Sequence, residues 1–152
     1  MSATLLNRES VELLNRELAD AIDLRERTIL ARSSLGILDS RLTRLTVHVA
    51  AYLHGLIERI AAHVKELGGV PVDDVTVISH SRIPRKPAYI PGRADRFGTL
   101  SRSLAALAVS TRVHVDMARS IGDPMTAGLL AQAWRELELV IWQVECTLLP
   151  DD

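Results

Sequence analysis

A chain of 152 residues is long enough to bury one core without disulfide or metal staples, and its single cysteine, Cys146, rules out an internal bridge. The formal net charge of −1 excludes a global attraction to nucleic acid or to an anionic membrane, so any such binding must come from a local patch. Aromatic residues make up only 3% of the chain, and Leu, Ile, Val and Ala inside with Glu and Arg outside is the composition of packed helices.

The first predicted helix, about 4–33, carries Val11, Leu14, Leu18, Ala21 and Ile22 on one side. Arg8, Glu12 and Arg16 recur every four residues on another side, as a solvated charged row. Residues 1–7 lack a basic region ahead of an apolar core, so no secretory signal is expected. No apolar run approaches a membrane span, and with a lone cysteine the expected compartment is the cytoplasm. Ser33-Ser34-Leu35-Gly36 is a short break.

The second helix, about 38–67, has the clearest pattern in the chain. Leu38, Leu42, Leu45, Val49, Leu53, Leu56, Ile60, Val64 and Leu67 recur at steps of three and four and so share one face. Leu67-Gly68-Gly69-Val70-Pro71 ends it, since Gly68 can adopt the left-handed conformation and Pro71 cannot continue a helix.

From 68 to 93 the periodicity fails. Pro71, Pro84, Pro87 and Pro91 exclude a continuous helix, although 72–79 can hold a short helix or a strand-like piece. The connection is too long for a helix hairpin and is expected to cross the molecule end to end. A third helix, about 94–121, then presents Phe97, Leu100, Leu104, Leu107, Thr111, Val115 and Ala118 at helical spacing. Gly122 stops it, and Asp123-Pro124 is an N-cap followed by a first-turn proline. The fourth helix shows Leu130, Trp134, Leu137, Ile141, Val144 and Leu148 on one side and ends near Pro150. Cys146, near its C-terminus, is expected as a buried, unreactive thiol. The fold class is therefore all-α: a four-helix bundle with one long crossover between helices 2 and 3, in a single domain over 1–152.

This is the ferritin-like plan, and three stretches resemble one family within it. Leu14-Asn15-Arg16-Glu17-Leu18-Ala19-Asp20 fits the opening of the first helix in the Dps family of miniature ferritins, the DNA-protecting starvation proteins. His54 through Val64 and on to Leu67-Gly68-Gly69-Val70-Pro71 is similar to the end of that family's second helix. Gly122-Asp123-Pro124-Met125-Thr126-Ala127-Gly128-Leu129-Leu130, followed by Arg135-Glu136-Leu137-Glu138 and Trp142, resembles its fourth. The resemblance implies a ferritin-like homo-oligomer, a hollow dodecamer in the cytoplasm or at the nucleoid. It also implies iron binding and storage, ferroxidase chemistry, and protection of DNA under oxidative stress.

The family's iron-oxidising ligands map poorly onto this chain. An Asp and a Glu four apart fall at Glu58 and Ala62; a further Asp falls at Val47 and a His at Thr43. The usual His-Trp pair at the end of helix 1 is replaced by Ala31-Arg32-Ser33-Ser34, and the acidic residue after Thr-Ala in helix 4 is Gly128. Whether the chain is a ferroxidase is therefore left open by the resemblance.

His54 and Glu58 lie four apart on one helix face and can hold one metal, with iron the ion the resemblance implies, joined by His48 or Tyr52 of a symmetry mate. The plainer reading is a partly exposed hydrogen-bonded pair. His63 and His114 are each alone on a helix and read as satisfied polar residues. The absence of a Glu-x-x-His pair argues against a di-iron centre inside the bundle.

Arg82, Arg85, Lys86, Arg93, Arg96 and Arg102 stand against the single Asp95, in a stretch stiffened by prolines. Such a segment can follow DNA phosphates, with Tyr89 stacking on a base, or it can pair with carboxylates of a neighbouring subunit. The alternative function is accordingly a ferroxidase-deficient structural cage acting through DNA or protein contacts.

Overall fold

A computed structural model describes residues 3–33, 40–80 and 93–149, with side chains described for 4–33, 40–79 and 97–149. Five helices follow one another: α1 Ala3–Ser33, α2 Ser40–Glu66, α3 Asp74–His80, α4 Arg93–Ser120 and α5 Pro124–Leu148, with no strand among the described residues. The four long helices match the predicted ones, and the piece after Pro71 is helical.

Cross-helix contacts fix the direction of each helix. Asn7 reaches Leu67 and Arg25 reaches His54, so α1 and α2 are antiparallel. His63 meets Thr126 while His48 meets Gln143, so α2 and α5 are antiparallel as well. The tight turn at 121–123 makes α4 antiparallel to α5. α2 and α4 therefore point the same way, and the chain between them must return along the whole bundle. That is the long crossover, with α3 packed on α1.

Every periodic apolar residue predicted inward and described here is buried or partly buried. Leu14, Leu18, Ile22, Leu56, Ile60, Val64 and Leu130 fill one end of the bundle, and Val49, Leu53, Phe97, Leu104, Leu137 and Val144 the other. Full burial of each such side chain contributes roughly 1.5–3 kcal/mol. Cys146 is the exception to the expectation, because its thiol is exposed. Nine residues past Leu137 is two and a half turns, which carries Cys146 to the outer side with Leu139 and Trp142.

The helix ends are specific. Gly68 closes α2 at φ 83°, with its N–H donating to the Lys65 carbonyl at 2.9 Å and that of Gly69 to Val64 at 3.0 Å. Gly69 is needed for a different reason: a Cβ there would stand 2.6 Å from a Val11 methyl. Asp123 caps α5 by accepting from the Thr126 N–H at 3.1 Å, ahead of Pro124 at the first helical position.

Candidate metal-binding face

Five residues of α2 lie on its solvent side at steps of three and four: Val47, Ala51, His54, Glu58 and Ala62 are all exposed. Only His54 and Glu58 of these carry metal-ligating atoms. They form a pair, Nε2 to Oε1 at 3.1 Å, with their side chains 60% and 70% exposed. The hydrogen-bonded pair of the plainer sequence reading is present.

Two further residues, not recognised from sequence, complete the group. Arg25 of α1 places Nη1 3.3 Å from His54 Nδ1 and Nη2 2.6 Å from Asp74 Oδ2, at the start of α3. A guanidinium has no acceptor, so His54 Nδ1 must accept. That assigns the ring proton to Nε2, which donates to Glu58. The chain of bonds therefore runs from one donor, Arg25, to Asp74 on one side and through His54 to Glu58 on the other. Neither nitrogen of His54 offers a lone pair outward. No signal in the sequence joins Arg25 to His54 except their shared helical pairing, because Asp74 arrives from the crossover.

His48 lies on the other flank of α2, its Nε2 2.9 Å from Gln143 Oε1 of α5. Tyr52 also faces α5: its hydroxyl donates to the Ala133 carbonyl at 3.3 Å and lies 3.4 Å from Glu136, which Arg59 holds at 2.7 Å. Burial, then the Glu136 charge, push the Tyr52 phenol well above its ordinary range. Within one chain, then, His48 and Tyr52 do not meet His54 and Glu58. Among the described residues of one chain no three His, Cys, Asp or Glu side chains are placed to hold a metal.

Arg82, Arg85 and Lys86 fall outside the described residues. Arg93 and Arg96 fall in the first turn of α4, and Arg102, farther along the same helix, bonds to Thr99 at 3.2 Å.

Polar side chains that the apolar pattern concealed sit inside the bundle. Glu17 has no exposed surface; the Thr111 hydroxyl bonds to one of its oxygens, and His114 Nδ1 lies 2.6 Å from the other. His63 is buried against Thr126 at 2.9 Å and Glu66 at 3.2 Å. Both histidines are satisfied polar residues, as expected from sequence. A cleft of about 250 Å³ opens beside Glu17 between α1 and α4, lined in part by Asp20, Asp23, Arg27 and Ser110. Burial there, with Glu17 nearby, raises the Asp20 carboxyl above its ordinary 3.8.

No protein-family model matches the chain, and no curated protein matches it by sequence. Solved structures do match, over nearly its full length. DpsC from Streptomyces coelicolor superposes with a TM-score of 0.84 at 25% identity, covering 100% of this chain and 88% of that one. Dps from Thermosynechococcus elongatus gives 0.83 at 18% identity, covering 100% and 98%. The Dps protein from Vibrio cholerae O1, described as a member of a superfamily of ferritin-like diiron-carboxylate proteins, gives 0.81 at 20%, covering 96% and 92%.

Proposed function

We propose, from the premise that the chain is a divergent Dps-like protein of the ferritin-like fold, that it forms a homo-oligomeric cage that binds and stores iron and protects DNA against oxidative damage. The single observation that supports this reading is the end-to-end superposition on Dps structures, with both long hairpins and the crossover included. A dodecamer of one-domain subunits in the cytoplasm, associated with the nucleoid, is the assembly the reading expects. Iron is cargo here, held by carboxylates. Of the three candidate residues, Glu58 has one carboxylate oxygen without a partner among the described residues, His54 is engaged at both ring nitrogens by Arg25 and Glu58, and His48 donates through Nε2 to Gln143. Arg82, Arg85, Lys86, Arg93 and Arg96 are the candidate DNA contacts, through phosphates.

A second reading, a ferroxidase-deficient structural cage acting through DNA or protein contacts, is favoured by one observation: the lone pair of His54 is already used by Arg25. One experiment separates the two. Ferrous iron is added aerobically to the purified protein, and size exclusion is run with mass and iron read in the same peak. Iron eluting with a large uniform cage is the expected result. A large cage without iron overturns storage and leaves the second reading; a monomer or dimer overturns the cage itself. DNA retention that weakens steeply with salt and with R85A/K86A tests the nucleic-acid part.

A further inference from the structure

We propose that Arg25 is the resident cation of the α1–α2–α3 face: its guanidinium takes the place that a divalent ion bridging His54 and Asp74 would take, and so closes this face to metal. The His54 imidazole of α2 and the Asp74 carboxylate of α3 converge on one positive group, while Glu58 holds the far edge of the imidazole ring. Those side-chain types suit a divalent transition metal, and the cation they meet is a fixed side chain instead.

Three physical points carry the inference. An imidazole binds a metal through an unprotonated ring nitrogen. His54 has one such nitrogen, Nδ1, and it accepts from Arg25, while Nε2 carries the proton given to Glu58. Asp74, the carboxylate of the pair, is held by the same guanidinium at 2.6 Å. The Arg25 side chain is only 13% exposed, so it cannot swing into water without giving up partners that offset its burial. An incoming ion meets the positive charge of a guanidinium fixed at that spot. The arrangement holds whether or not the cage stores iron, because it concerns this face alone.

The test uses Co²⁺, whose visible absorption reports a nitrogen and oxygen ligand set, titrated into the full-length protein and followed in parallel by calorimetry. Wild type is expected to show no Co²⁺ site that depends on His54, so wild type and H54A give the same titration. R25A is expected to gain about one Co²⁺ per chain with affinity about tenfold or more above wild type, and R25A/H54A to lose that gain. R25K keeps the charge and is expected to behave as wild type. Wild-type Co²⁺ binding that H54A abolishes overturns the proposal, as does an R25A that keeps its helical circular dichroism yet gains nothing. Should R25A fail to fold, R25Q, which removes the charge and keeps the bulk of the side chain, is titrated in its place, with gain or no gain of a His54-dependent Co²⁺ site read in the same way.

Discussion

A glutamate with no exposed surface is the costliest residue in this bundle, and it is tolerated only because both of its oxygens are engaged. Glu17 meets Thr111 and His114, which lie three apart on one face of α4. Removing one partner leaves a buried acceptor unsatisfied, whereas removing both sides with apolar residues does not. H114A is therefore expected to lose about 3 kcal/mol in urea unfolding, and E17L/H114L to recover more than half of that loss. Double-mutant coupling near zero would show that the pair contributes nothing specific. Glu17 could have been flagged from sequence, since it sits between Leu14, Leu18 and Ala21 on the buried stripe. Its partners could not, being 94 and 97 residues away on a helix whose register is set by packing. Arg25 was hidden for the same reason, its carboxylate partner lying in the crossover.

At the level of the elements, the sequence speaks most clearly about helix ends. The Gly-Asp-Pro at 122–124 announces a stop, a cap and a first turn, and each occurs where it was read. What local pattern could not reveal is that Asp123 serves more than its own helix. Its Oδ2 also accepts from Ser10 of α1 at 2.7 Å and from the Thr126 hydroxyl at 2.5 Å, and that hydroxyl bonds His63 of α2. Burial pushes the Asp123 carboxyl up, but bonds from Thr126 and Ser10 outweigh it and hold the group below its ordinary 3.8. A depressed carboxyl contributes stability that is present above the unfolded value and lost as pH falls through the folded one. Thermal melts of wild type should therefore fall steeply below about pH 4, and D123N should flatten that acid limb. D123A, which removes the cap as well, is expected to cost about 2 kcal/mol at pH 7. An unchanged acid limb in D123N would place the titrating group elsewhere. Cys146 marks the limit of such reading: three residues beyond Gln143 and two beyond Val144, it falls outside by turn count alone, a step that composition does not supply.

Across the whole molecule, the parallel course of α2 and α4 divides the bundle into two antiparallel hairpins, α1–α2 and α4–α5, joined only by the crossover. Contacts inside a hairpin close shorter loops than contacts between them, as in Arg25 to His54 across 29 residues against Ser10 to Asp123 across 113. Loop closure favours the short ones first. The polar bonds at Glu17 and Asp123 then belong to the last event, when two preformed hairpins find their register. If so, substitutions at these positions leave the folding rate nearly unchanged and speed unfolding, so E17Q and D123N should shift the unfolding arm of a chevron plot and leave the refolding arm in place. A slowed refolding arm would instead put these bonds in the nucleus. The buried polar contacts of this protein are, in kinetic terms, what keeps the closed bundle from reopening.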